Sequence, residues 1–255
     1  MGNVEDLVLF GGDKSWNASD WTASDDRVRG GKSQSYLDVS DSSHARFYGH
    51  LDIKTLGGPG FASQRTSTQD KAWDLSKHDG ILIHVGKSDG KLYTFIIKDK
   101  LLPNNPENGR EQATTSWEYD FKIGGKNASM AESSFIFIPW TDFKPTYRGK
   151  EKKDAGRLDR ENVKRFSIMM RSFFGDQEGD FSITIKSITA VSKRGDPEKG
   201  FVPMPIETTD DEAKEPKSYT RIFLEVVILG VLAYGWCTLI CRYSRNMHIK
   251  HHWSS

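Results

Sequence analysis

SWEYDFKI, residues 116 to 123, is the stretch that decides the fold class of this chain. Trp117, Tyr119, Phe121 and Ile123 alternate in it with polar residues at every second position. Because successive side chains of a β-strand point to opposite faces, this period of two predicts a strand with one buried and one exposed face. We therefore start from a fold made of half-buried strands.

Eight further segments have strand character and lie between turn signals rich in Gly, Pro, Asn and Asp. One of them, 135–138, is a continuous apolar run closed by Pro139, which predicts a central strand buried on both faces. The eight segments are 35–39, 46–53, 61–66, 81–85, 93–97, 135–138, 165–170 and 181–185.

Helical periodicity is scarce before residue 222, and the best candidate is a short turn at 159–164. About nine strands without interleaved helices predict an all-β fold, an antiparallel β-sandwich of the jelly-roll type. The chain of 255 residues is long enough to give such a domain one core. We place the sandwich domain at residues 1–193.

The stretch IFLEVVILGVLAYGWCTLIC, from Ile222 to Cys241, has 16 apolar, aromatic or Cys residues among its 20. As a helix it would be about 30 Å long, which is the thickness of a bilayer core. We therefore predict one transmembrane helix over 221–242. A flexible tether rich in Pro and acidic residues precedes it at 194–220, and a short tail with basic and His residues follows at 243–255.

The first ten residues, MGNVEDLVLF, resemble neither a secretory signal nor a transit peptide. Together with a helix close to the C-terminus, they predict a tail anchor with the domain in the cytosol. Three basic residues on each side of the helix leave its orientation open: Lys214, Lys217 and Arg221 before it, and Arg242, Arg245 and Lys250 after it. The part before Arg221 carries a net charge of about −2, which speaks against a nucleic-acid partner.

Two motifs could indicate chemistry, and we interpret both as structural. Gly86-Lys87-Ser88-Asp89-Gly90 matches the nucleophile elbow G-x-S-x-G, but a strand follows it where the elbow needs a helix. A hairpin turn with positive φ at Gly90 fits better. His248, His251 and His252 could hold a metal but lack Cys or carboxylate companions. We predict no catalytic, cofactor-binding or metal residues, and hence no enzyme.

The segment WTASDDRVRGGKSQSY, residues 21 to 36, is the most unusual polar stretch. We predict a rim at which Asp25 and Asp26 pair with Arg27 and Arg29, while Gly30-Gly31 lets the backbone turn. Arg65 is assigned to the same partner-binding rim. The alternative is a loop stabilised by its own charges.

This segment is also where the chain begins to resemble the complex I intermediate-associated protein 30 family. The resemblance continues in order from about residue 6 to residue 191. Its further blocks are Phe47-Tyr48-Gly49, Gly57-Gly58-Pro59-Gly60-Phe61-Ala62-Ser63-Gln64-Arg65, Asp79-Gly80-Ile81, Gly90-Lys91-Leu92-Tyr93, Ile138-Pro139-Trp140 and Phe181 to Ile188.

The resemblance implies a galactose-binding-domain-like sandwich and a non-enzymatic chaperone role in the assembly of mitochondrial complex I. Its partners would be protein clients, namely membrane-complex intermediates or partly assembled subunits, and it implies a mitochondrial location. Two alternatives stay open. The chain could assist a different membrane complex from the endoplasmic reticulum or the mitochondrial outer membrane, or it could be a membrane-anchored module that binds carbohydrate or lipid headgroups.

Overall fold

A computed structural model of the chain describes residues 4–68, 71–124 and 133–192. Its regular structure consists of thirteen β-strands and short 3₁₀ turns. The strands are β1 Leu7–Gly11, β2 Trp21–Ala23, β3 Gln34–Asp38, β4 Ala45–Leu51, β5 Phe61–Thr66, β6 Gly80–Ser88, β7 Leu92–Lys98, β8 Ser116–Lys122, β9 Ser134–Pro139, β10 Lys144–Tyr147, β11 Lys150–Glu151, β12 Arg165–Arg171 and β13 Gly179–Val191.

The strands form two antiparallel sheets. Sheet A has the order β3-β4-β13-β6-β9, with β1 added beside β13, and sheet B has the order β11-β10-β8-β7-β12-β5-β2. The long strand β13 pairs with β4 through its first half and with β1 through its second half, while β6 lies along its other side. Strands distant in sequence therefore lie side by side, and the predicted all-β antiparallel architecture is confirmed.

The core is apolar and rich in aromatic side chains contributed by both sheets. Phe10, Trp21 and Phe166 meet at its centre, where the ring of Phe10 lies 4.9 Å from Trp21 and 5.7 Å from Phe166 between centroids. Edge-on aromatic contacts of this kind add to the stabilisation from burial itself. The apolar face of 116–123 has the predicted outcome, because Trp117 and Phe121 are buried in this core, whereas Glu118 on the face predicted to be exposed is buried as well.

Each predicted strand has a counterpart, but one prediction about position was wrong. The run Phe135–Ile138 lies in β9, which among the described residues pairs only with β6 and forms an edge of sheet A. Its Phe135 is 48% exposed and stacks on His84 at 4.1 Å between ring centroids. The outward-facing Phe135 is apolar because it packs over His84 on the surface of the sheet. An unbroken apolar sequence here therefore does not mean that both faces of the strand are buried.

The sequence patterns missed β1, β2, β10 and β11, which are short or lie beside charged turns. The predicted turn at 159–164 is a 3₁₀ turn over Arg160–Asn162. Among residues 4–68, 71–124 and 133–192, no helix has the length and apolarity needed to cross a membrane. The predicted transmembrane segment Ile222–Cys241, the tether at 194–220 and the His-containing tail lie outside the described residues.

Candidate functional site

Asp25 and Asp26 of the predicted rim are buried. The Asp25 carboxylate accepts hydrogen bonds from the Ser35 backbone N–H at 3.1 Å, the Ser35 hydroxyl at 2.6 Å and the Ser63 backbone N–H at 2.9 Å. Ser35 belongs to β3 of sheet A and Ser63 to β5 of sheet B. One carboxylate thus joins β3 of sheet A to β5 of sheet B.

Asp26 repeats this arrangement at the next residue. We call the boundary between β3 of sheet A and β5 of sheet B the seam. Its carboxylate accepts from the Ser33 backbone N–H at 3.1 Å, the Ser33 hydroxyl at 2.7 Å and the Phe61 backbone N–H at 3.1 Å. Gly31 makes room for it, since a Cβ there would lie 2.2 Å from Asp26 Oδ1. The predicted turn is present at Gly30, where φ is +84°. We call Asp25 and Asp26 the acidic staple.

The predicted pairing of these acids with Arg27 and Arg29 was wrong. No ion pair among the described residues joins either acid to either arginine. The reason is geometric: the acids point inwards to backbone donors, whereas Arg27, Val28 and Arg29 lie on an exposed 3₁₀ turn. Arg29 instead places its guanidinium carbon 4.9 Å from the centre of the Phe61 ring.

An open groove runs along the outside of the acidic staple, between β2 and β3. Its volume is about 530 Å³, and its lining includes Trp21, Arg27, Tyr36, Tyr48 and Gln64. Tyr36 is 44% exposed and stacks on Tyr48 with the ring centroids 5.3 Å apart. The groove therefore presents an accessible aromatic ring beside charged and amide side chains.

Arg65, the fifth residue of the predicted rim, belongs to a different surface. It lies on the outer face of sheet B, where it contacts Glu111 Oε2 at 3.3 Å through Nη2. Arg165 of β12 reaches the other oxygen, Oε1, of the same carboxylate. Lys98 lies beside Arg165 in the strand register and contacts the Thr114 hydroxyl at 3.3 Å. We call Arg65, Lys98 and Arg165 the cation cluster.

A second ionic group lies further along the same face. Arg171 contacts Glu118 Oε2 at 2.7 Å and both oxygens of Asp120 at 2.6 and 2.8 Å. Glu118 is buried and also accepts from the Thr146 hydroxyl at 2.6 Å. Each charge of this group has an ion-pair partner, although Nε of Arg171 is buried without a hydrogen bond among the described residues.

The motif Gly86–Gly90 forms a hairpin turn, as predicted. Ser88 ends β6, Gly90 has a φ of +76°, and β7 begins at Leu92. A strand thus follows where a nucleophile elbow has a helix. In the ranges that the structure describes, no three His, Cys, Asp or Glu side chains are grouped so as to hold a metal ion.

The cation cluster was missed from the sequence, although a signal for part of it was present. In β12 the apolar Phe166 and Ile168 alternate with Arg165 and Ser167, so the second set had to lie on the face opposite the core. What no local pattern shows is Glu111, which lies in the loop between β7 and β8 and reaches Arg65 from 46 positions away in the chain.

These features define a two-sheet antiparallel β-sandwich with a stapled seam, an open groove beside it and a separate cation cluster on one sheet face. The family model of complex I intermediate-associated protein 30 (CIA30) matches residues 8–185. The chain belongs to this family. An uncharacterised protein of Schizosaccharomyces pombe is 45% identical over 192 residues, which cover 73% of this chain and 84% of that protein.

Solved structures with a similar course of the chain include a carbohydrate-binding module and an agarase. The family 11 module of the cellulase Lic26A-Cel5E of Clostridium thermocellum is 15% identical with a TM-score of 0.48, covering 75% of this chain and 96% of the module. The agarase AgWH50C is 11% identical with a TM-score of 0.43, covering 75% of this chain and 25% of the enzyme.

Proposed function

We propose that this chain is a non-enzymatic assembly factor that binds protein partners, in particular intermediates of respiratory complex I. The observation that carries the proposal is the match to the complex I intermediate-associated family over residues 8–185, which includes nearly the whole sandwich. The role of such a protein is to hold a client surface until the next subunit arrives, and it requires an interface and no reacting group.

The partner-binding surface that we propose is the exposed turn Arg27–Arg29 together with the neighbouring groove. Val28 is 61% exposed between two exposed arginines, and Tyr36 offers its ring a short way along the groove. Arginine and aromatic residues are enriched at protein interfaces and dominate their binding energy. Of the rim residues predicted from the sequence, we keep Arg27 and Arg29 as partner-binding residues. Asp25 and Asp26 are buried beneath the turn and hold it in place.

Charge reversal at the turn tests the proposal. The variant Arg27→Glu/Arg29→Glu should lose co-purification with membrane-complex intermediates, while its thermal unfolding midpoint stays close to that of the wild type because neither side chain is buried. Arg157→Glu, at another exposed position, is the matched control and should keep the clients. Retention of clients by the double variant would remove the turn from the interface.

We further propose that Ile222–Cys241 holds the sandwich at a membrane, where a tether raises its local concentration for clients in the same bilayer. An N-terminal tag, imaged against organelle markers and combined with protease protection, tests both membrane and orientation. A protected tag inside mitochondria supports complex I as the client. An accessible tag on the endoplasmic reticulum or the outer membrane would favour a client that faces the cytosol.

A second candidate function is the binding of carbohydrate or lipid headgroups in the groove. The observation that favours it is the stack of the exposed Tyr36 on the half-buried Tyr48, with the guanidinium carbon of Arg46 4.5 Å from the centre of the Tyr48 ring. A glycan array and a lipid-headgroup array probed with the full chain test it. Binding that disappears in Tyr36→Ala and persists in Tyr147→Ala, an equally exposed control on sheet B, would support this candidate.

A further inference from the structure

We propose that the cation cluster of Arg65, Lys98 and Arg165 is a binding site for the carboxylate of an acidic partner segment, a place that Glu111 occupies in the unbound protein. The ligand would be an extended acidic stretch of a client protein. Only the source of the ligand, a client protein, rests on the proposed function. The carboxylate site itself follows from the geometry of sheet B.

The first observation is an imbalance of charge. Two guanidinium groups share one carboxylate, with Arg65 on one oxygen of Glu111 and Arg165 on the other, while Lys98 lies beside Arg165 in the strand register. Burial lowers the pKa of Lys98 below its ordinary value. Glu111 opposes this effect, Arg165 and Arg65 lower the pKa further, and Glu118 raises it. The neighbouring arginines thus disfavour the charge of Lys98, and a further carboxylate would favour it.

The second observation is a set of unused hydrogen-bond donors. The Nε atoms of Arg65 and Arg165 are both buried and have no hydrogen-bond partner among the described residues, and the same holds for Nε of Arg171 further along the face. The Arg165 side chain is only 2% exposed. A guanidinium has five N–H donors in a fixed fork, and leaving one unsatisfied in the interior is costly. The cluster is therefore equipped to bind more acceptor atoms than Glu111 supplies.

The third observation concerns how Glu111 is held. Glu111 lies in the long connection between β7 and β8. Among the hydrogen bonds and ion pairs of residues 100–113, only those of Glu111 with Arg65 and Arg165 reach the rest of the described chain. The other bonds of this segment are internal, such as Asn105 N–H to the Arg110 carbonyl at 2.8 Å. Exchange of Glu111 for another carboxylate would release the segment without breaking any further bond to the sandwich.

These three observations define an intramolecular competitor. Glu111 shows that a carboxylate fits between the two arginines, each oxygen facing a different guanidinium. Arginine forks match carboxylates well, which favours this ligand chemistry over a neutral group. A partner carboxylate must displace Glu111, so the apparent affinity of the wild type is reduced by the fraction of molecules in which the site is free.

The test uses the full chain as wild type, Glu111→Gln and Glu107→Gln, the last being an exposed control in the same loop. A short oligoglutamate peptide and citrate are titrated into each protein at low ionic strength by calorimetry. Removal of the competitor should raise the affinity of Glu111→Gln for oligoglutamate about ten-fold or more over the other two proteins. Adding Arg65→Gln to Glu111→Gln should abolish the gain.

Equal affinities in all three proteins, or a gain that survives Arg65→Gln, would overturn the proposal. A gain for citrate without one for oligoglutamate would overturn the peptide assignment and identify a site for small free acids. If Glu111→Gln does not fold, the Nε–H resonances of Arg65 and Arg165 in the wild type decide: both should shift on titration, and unchanged signals would refute the site. Citrate binding does not depend on clients, so failure here is distinguishable from failure of the assembly role.

Discussion

Asp25 accepts a hydrogen bond from the backbone N–H of Ser63 at 2.9 Å, although the two residues belong to different sides of the seam between the sheets. With Asp26 it satisfies four backbone N–H groups, those of Ser33, Ser35, Phe61 and Ser63, which no neighbouring strand reaches. The two carboxylates thus accept backbone hydrogen bonds that a neighbouring strand would otherwise accept. They also explain why consecutive acids can be buried without a cation beside them.

The first prediction concerns this staple. Asp25→Ala leaves the backbone N–H groups of Ser35 and Ser63 without an acceptor, whereas the Ser35 hydroxyl keeps the Ser63 carbonyl at 3.0 Å. At about 1 kcal/mol or more for each stranded N–H, the free energy of unfolding should fall by at least about 2 kcal/mol. Chemical denaturation measures the loss. Asp41→Asn is the control, since this exposed residue caps Ser43 N–H at 2.9 Å with an oxygen that Asn retains. Its effect should stay within about 0.5 kcal/mol, and an equal loss in both variants would contradict the staple.

The second prediction compares two adjacent glycines. Gly31→Ala would bring a Cβ to 2.2 Å from the buried Asp26 carboxylate and should cost about 1 to 3 kcal/mol or more. Gly30→Ala meets no atom within 4 Å, and only its φ of +84° is unfavourable, at about 1 kcal/mol. Denaturation midpoints should therefore rank wild type, Gly30→Ala, Gly31→Ala in falling order. The reverse order of the two variants would disprove this account of the turn.

The third prediction concerns the ionic group of Arg171 and Glu118. Arg171→Met strands the buried Glu118 charge and should destabilise the fold by about 3 to 5 kcal/mol. Adding Glu118→Gln removes the stranded charge, so the double variant should recover part of that loss. A double-mutant cycle by urea denaturation gives the coupling. Strictly additive losses would show that the two side chains do not interact in solution.

The fourth prediction concerns His84, whose pKa is lowered by burial and then by the charge of Lys186. The unfolded chain has an ordinary pKa of about 6.5, so it binds more protons than the folded state between that value and the lowered one. The contribution of His84 to stability should therefore be lost as the pH falls from about 6.5. NMR titration should place its midpoint below 6.5, and Lys186→Met should raise it. A midpoint unchanged by Lys186→Met would refute this cause.

The strands could be predicted because alternation is a local property. Trp117 and Phe121 lie in the core where the period of two places them. The position of a strand within its sheet is not local, which is why the apolar run at Phe135 was assigned to a central strand and is found at an edge. Short pairings such as β10 with β11 involve only two residues on each strand and leave no period to detect.

The candidate site was harder to predict than the fold. Side-chain charge drew attention to Asp25 and Asp26, but charge alone does not distinguish a solvated rim from a buried acceptor of backbone hydrogen bonds. The distinction depends on Ser63, 38 positions along the chain and in the other sheet. Arg65 was grouped with the wrong partners for the same reason, since Glu111 reaches it only through the fold.

The pairing of β1 with β13 brings the two ends of the sandwich together. Leu7 lies opposite Ala190, and the Ser192 N–H donates to Asp6 at 3.2 Å. A mechanical load applied to the chain before Leu7 and after Ala190 would act at the same end of the β1–β13 ladder. It would therefore break the hydrogen bonds of this ladder one after another. Traction between residues 6 and 192 would release β1 first, and Phe10 would then be withdrawn from the aromatic core.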